Sequence, residues 1–140
     1  MGERAEQATA RLTAERTITL RALLDLKEDD CARPVEWYGR TQSVGRMLRQ
    51  FTSHSLDHFQ HLHRLLQARR RTLTEAELLF MKAEAMQAEF TVLVRSLSDE
   101  EFMQAGPNEG DWSAAQVLDH VIENERTYRD AITKALGRAP

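Results

Sequence analysis

Apolar residues recur at three- and four-residue spacings through most of the chain, the period of an amphipathic helix. From about Glu3 to Lys27 the chain is rich in Ala, Leu, Glu and Arg and holds neither Gly nor Pro. That predicts a long helix with polar first turns, whose core face comes late, at Leu12, Leu20, Leu23, Leu24 and Leu26. Between Glu28 and Gln42 the period is lost around an acidic triplet, Pro34, Trp37, Tyr38 and Gly39, which reads as a loop over the end of the structure. Ser43 can then cap a second helix from Val44 to about Arg69. Its apolar stripe is Val44, Met47, Leu48, Phe51, Leu62 and Leu65. Thr74 and Glu77 have the spacing of a capping box, with Leu73 and Leu78 placed as a hydrophobic staple, so a third helix runs from there to about Ser96. Its apolar positions are Leu79, Ala83, Met86, Phe90, Leu93 and Leu97. An acidic turn at Ser98–Glu101 and a loop at Gly106–Gly110 follow. Ser113 and Gln116 form a second capping box, with Trp112 able to staple onto Val117. The fourth helix then runs from Ala114 to about Leu136, stopped by Gly137.

Four helices joined by connections too short for crossovers predict an all-α, antiparallel up-down four-helix bundle, with residues 1–140 as a single domain. The halves follow one plan: a helix, an irregular acidic loop, a Ser-capped helix. Sliding one half by about seventy positions lays Ser43–Leu48 over Ser113–Leu118 with few identities, so the repeat is one of pattern.

Composition narrows the function classes. A net charge of -3 on 140 residues, with acids and bases interleaved, gives no basic field for nucleic acid. The only cysteine, Cys31, excludes an internal disulfide framework and fits a reducing compartment. With no signal-like start and no apolar run of spanning length, the expectation is a cytoplasmic protein without membrane partners. Arg69, Arg70 and Arg71 fall at the expected end of the second helix, where cations suit the exposed carbonyls. Met81 and Met86 read as core filler. Cys31 has no sequence partner to lower its pKa and is not expected to be a catalytic thiol.

Four of the five histidines lie between His54 and His63. His54 and His58 are four apart, so on a helix their imidazoles project from one face, one turn above the other, as a chelating pair. They continue the apolar stripe and are expected to point into a core, where their nitrogens need a metal, a hydrogen-bond partner or a water-filled pocket. His61, three residues after His58, offers an alternative pairing or an edge hydrogen bond. His63 is off the face and expected in solvent. A lone histidine such as His120 is more often a satisfied core residue than a ligand. Asp57, Asp119 and Glu123 lie within a turn of these histidines and could orient an imidazole or act as a base, although charges beside an apolar stripe are usually its solvated flank. Trp37 and Tyr38 read as loop anchors, or as the lining of a substrate pocket if the loop closes over the histidines. Leu56 and Ile122, apolar but off the stripes, point to a further covered surface and so to a homodimer.

The run Asp111-Trp112-Ser113-Ala114-Ala115-Gln116-Val117-Leu118-Asp119-His120-Val121, preceded by Leu97–Phe102, resembles the opening helix pair of the DinB/YfiT-like four-helix bundle superfamily. Ser43–Leu48, continuing through His54-Ser55-Leu56-Asp57-His58, is similar to that superfamily's closing helix. Together the two cover about half the chain. The resemblance implies that His54, His58 and His120 converge on one divalent metal, zinc or nickel. Three imidazoles with open coordination positions are a catalytic arrangement, and the bound metal makes a nucleophile of a coordinated water or thiol at neutral pH. The activity implied is that of a metal-dependent enzyme acting on a small-molecule substrate, an S-transferase using a low-molecular-weight thiol or else a hydrolase. The alternative is a non-catalytic, stress-associated or metal-binding helical bundle. One departure stands out: the histidine pair comes first and the lone histidine last, as though the halves were exchanged. A pseudo-two-fold bundle accommodates that order within one chain, and a swapped dimer accommodates it between two.

Overall fold

The computed structural model describes residues 2–138. The chain is mostly helical, with six helices and one two-stranded hairpin among the described residues. The all-α class is therefore as the periodicity predicts. No helix among the described residues is long and apolar enough to cross a membrane.

Helix α1 spans Glu3–Leu23 and opens on Glu3 and Glu6, which suit the positive end of its dipole. It ends short of Lys27, with Leu24 as C-cap. The stretch expected to be a loop is instead built. A short helix α2 covers Glu28–Cys31, held at its start by the Lys27 backbone N–H donating to Asp30 Oδ2 at 3.0 Å. That bond, and Arg33 beside it, hold the Asp30 carboxyl below the usual carboxylate range. Strands β1, Pro34–Trp37, and β2, Arg40–Ser43, then pair antiparallel with Trp37 opposite Arg40. Only Tyr38 and Gly39 are left for the turn, both at positive φ, 49° and 70°. A two-residue turn of that conformation matches the twist of the strands it joins.

Ser43 ends β2 and caps α3, Val44–Ala68, its Oγ accepting from the Arg46 N–H at 3.2 Å. Helix α4, Glu75–Arg95, opens on the expected box: Thr74 N–H donates to Glu77 Oε2 at 2.9 Å, and Glu77 N–H donates to Thr74 Oγ1 at 3.2 Å. The acidic turn after α4 is helix α5, Asp99–Met103, boxed by Ser98 and Glu101. Helix α6, Ala114–Ala135, is boxed by Ser113 and Gln116. In the boxes of α4 and α5 the backbone N–H of the cap residue is the main cause holding Glu77 and Glu101 below the usual glutamate range.

Helices α3 and α6 also stop alike. Arg71 N–H donates to Leu66 C=O and Arg138 N–H to Thr133 C=O, each at 2.9 Å. The residue before each donor is left-handed, Arg70 at φ 51° and Gly137 at φ 63°. This is the Schellman closure, in which glycine avoids the Cβ penalty. Arg70 bears that penalty, so Arg70→Gly should raise stability by about 0.5–1 kcal/mol, read as a higher urea midpoint at unchanged slope. An unchanged or lower midpoint would mean that the arginine side chain compensates.

Residue contacts divide the chain into two units, Met1–Gln87 and Ala88–Pro140. In the first, α2 and the hairpin lie over the opening turns of α3. Val44, Met47 and Leu48 are half-buried there, and the Arg16 guanidinium of α1 stacks 5.5 Å from the Phe51 ring. In the second, α5 lies against α6, with Phe102, Val117 and Leu118 half-buried. A bridge pairs Ala105 with Ser113. The expected apolar core is not found: no hydrophobic side chain among the described residues is buried, and Phe51, Leu62, Leu65, Leu79, Met86 and Leu93 are all exposed. An amphipathic helix buries its stripe only where another element faces it. In the first unit, α2 and the hairpin cover only the opening turns of α3.

Candidate functional site

Helix α3 carries the histidine pair in its middle turns, and the i, i+4 spacing does what helical geometry requires. His54 Nε2 and His58 Nε2 stand 3.1 Å apart, with ring centroids at 4.4 Å and the planes at 84°. At that separation one nitrogen can donate a proton to the other, or both lone pairs can meet a shared ion. A metal 2.0–2.1 Å from each nitrogen would see them at roughly 100°, close to the tetrahedral angle that zinc sites adopt. The distance between the two nitrogens is thus one that a shared divalent metal could span. The pair's setting differs from expectation, because both imidazoles are exposed and do not point into a core.

The neighbouring histidines separate from the pair. His61 is exposed and takes no part in the contact between the other two. His63, expected in solvent, is half-buried, its ring edge-on to Phe59 at 4.5 Å and 63°. Four-residue spacing again explains the contact.

His120 lies in the second unit, exposed on α6. Its ring packs edge-on against Trp112, centroids 5.0 Å apart at 73°, so Trp112 serves the histidine rather than a staple alone. Asn124 Nδ2 lies 2.8 Å from His120 Nε2. With the amide as donor, that nitrogen is an acceptor and the ring proton sits on Nδ1. A ligand seeking Nε2 must displace Asn124. Sequence reasoning missed Asn124, although it stands at the same four-residue spacing that identified the pair.

Asp57, Asp119 and Glu123 are exposed, and their side chains make no hydrogen bond to an imidazole among the described residues. Nor does any group of three or more His, Cys, Asp and Glu side chains among those residues stand ready to hold a metal. Cys31, expected in a loop, ends α2 half-buried. It lies where a Cβ at Gly45 would meet its carbonyl oxygen at 3.2 Å.

A cavity of about 850 Å³ opens between the hairpin and α3, lined mostly by apolar side chains, with Val35, Trp37, Tyr38, Val44, Phe51 and His54 on its wall. Trp37 and Tyr38 reach it as an edge-on pair, centroids 4.8 Å apart. The two aromatic residues of the hairpin tip and the first histidine of the pair thus border one space. Compared with family models, with curated proteins and with solved structures, the chain finds no match in any of the three.

Proposed function

We propose that this chain is a metal-binding helical bundle of the DinB/YfiT-like kind, a single four-helix domain with a divalent ion, zinc or nickel, held by His54 and His58 and by His120 as third ligand. The observation that supports it most is the 3.1 Å approach of the two Nε2 atoms on α3. Bound there, the metal supplies acidity to a coordinated water or thiol, making it nucleophilic at neutral pH. The reaction class that suits this is S-transfer from a low-molecular-weight thiol to a small electrophile. The chain's own residues bind and orient: Trp37, Tyr38 and Phe51 offer apolar walls to a substrate beside His54. His120 can join the pair as a ligand only once Asn124 releases its Nε2, since the amide donates to that nitrogen. The second reading, a metal-binding bundle without turnover, is favoured by one observation: no carboxylate among the described residues is hydrogen-bonded to an imidazole, so none is placed as a base.

Titration of tag-free protein with Zn²⁺ against a chromophoric chelator tests the proposal. The expected result is one tightly bound ion per chain, displaced protons, and quenching or enhancement of Trp fluorescence on binding. Absence of stoichiometric binding for both Zn²⁺ and Ni²⁺ overturns it. Binding without thiol transfer to a model electrophile favours the second reading.

A further inference from the structure

Two spaces adjoin at the start of α3, and they differ in character. The apolar cavity described above is bounded by the hairpin, the opening turns of α3 and Leu23 of α1. A second space, of about 630 Å³, has Arg40, Gln42 and Arg46 on its wall. Trp37, Tyr38 and Gln50 border both. All of these residues belong to the first unit.

The periods of the chain explain the arrangement. Register sets Trp37 opposite Arg40 and Val35 opposite Gln42, so these four side chains share one face of the hairpin. That face meets α3, where the Gln42 amide donates to Met47 Sδ at 2.8 Å. On α3, Val44, Met47, Leu48 and Phe51 form the apolar stripe, and Arg46 and Gln50, one turn apart, stand on its flank. The groove between hairpin and helix is thus apolar on one side and cationic on the other.

The positive charge is unanswered from within. Neither wall holds an acidic residue, and Arg40 and Arg46 are exposed and make no ion pair among the described residues. Glu36, the acid nearest Arg40 in sequence, stands opposite Thr41 on the other face of the hairpin and accepts from its hydroxyl. Tyr38 adds a separate sign. It holds a left-handed turn position at φ 49°, where a Cβ is strained, although its side chain is 89% exposed. Strained positions cluster at ligand sites, and this ring borders both spaces.

We propose that the two spaces form one binding site for a small amphipathic anion. Its apolar body lies in the larger cavity against Trp37, Val44 and Phe51, and its carboxylate or phosphate head is held by Arg40 and Arg46. A guanidinium is always charged and matches either oxyanion with its N–H donors, so charge selects the head while apolar area selects the body. The cavity of about 850 Å³ is within the range of small-molecule sites, roughly 300–1,000 Å³. With the head on the arginines, the body runs toward His54 on the wall of the same cavity. In naming the substrate class of the metal site the inference rests on the reading above, but binding itself needs no metal.

Calorimetric titration of the metal-free chain with octanoate, octyl phosphate, octanol and octylammonium tests it. Both anions should bind at one per chain, the tighter of the two fixing the head. Octanol and octylammonium should bind at least about tenfold more weakly, the loss expected for a missing charge-assisted hydrogen bond. Arg40→Gln and Arg46→Gln should each weaken the tighter anion about tenfold and leave octanol unchanged. Arg49→Gln, outside both walls, should change nothing. All three arginines are exposed, so the variants should keep the helical ellipticity of the wild type. Octanol binding as tightly as the anions overturns the proposal. So does an Arg49→Gln loss equal to those of Arg40→Gln and Arg46→Gln, because the attraction would then be general charge. Absence of saturable binding by either anion overturns it too, and leaves the metal reading standing where zinc binds. Anion binding by a chain that takes up no zinc sinks the metal reading alone.

Discussion

Alanine at His58 should weaken zinc binding by at least about 10–100-fold, the loss usual for a group that merely orients a ligand and a lower bound for a ligand itself. His54→Ala should do the same, because either change leaves a single imidazole where two stood 3.1 Å apart. Two neighbouring substitutions serve as controls of equal chemistry. His61→Ala removes an exposed ring outside the pair, and His63→Ala removes one packed against Phe59; on the proposed site, in which neither is a ligand, each should change affinity by less than about twofold. Folding should not confuse the comparison. His54 and His58 are exposed, and alanine is the better helix former, so helical ellipticity should hold or rise. Competition titration with a chromophoric chelator reads the affinities. A His61→Ala loss equal to that of His58→Ala would show that the cluster binds metal diffusely, and unchanged binding in His58→Ala would remove it from the site.

What could be read in the sequence divides along a physical line. The starts of α3, α4 and α6 were legible to the residue because capping is local: Ser43, Thr74 and Ser113 each satisfy an amide three residues on. The His54–His58 contact was legible for the same reason, since four-residue spacing fixes it within one helix. The hairpin was not. Its strands are four residues each, too short for a period of two to show, and Tyr38 occupies a left-handed turn position where glycine or asparagine is the usual signal. Helix α5 was hidden by its length, though its Ser98–Glu101 box is the same motif that announced α6. The core was a different kind of miss. The stripes on α3 and α4 tell which face needs cover, and nothing in a period says what supplies it. His120 shows the local side of this: its partner Asn124 lay within reach of the spacing rule, while no local rule says what else its ring meets.

Ser113→Ala should lower stability by about 1–2 kcal/mol, the upper part of the range for a lost N-cap, and Ser98→Ala by less than about 0.5 kcal/mol. The two serines make the same box. Each Oγ accepts from the amide three residues on at 3.2 Å, and each backbone N–H donates back to the side chain there at 2.8 Å. They differ in burial. Ser113 is 5% exposed, enclosed by its bridge to Ala105, whereas Ser98 is exposed. Water can replace the hydroxyl lost from exposed Ser98 more readily than the one lost from buried Ser113, so Ser113→Ala is the substitution that costs the more. They differ also in what they start: α5 has five residues and α6 has 22. Fraying α6 from Ser113 loosens the turns that hold Trp112 against His120. Amide exchange should therefore speed at Gln116 and Val117 in Ser113→Ala, with a lower urea midpoint, while exchange near Glu101 in Ser98→Ala comes with an almost unmoved midpoint. Equal losses in the two variants would mean that burial of the cap contributes nothing, and that the first turn of α6 is held by its contact with α5 instead.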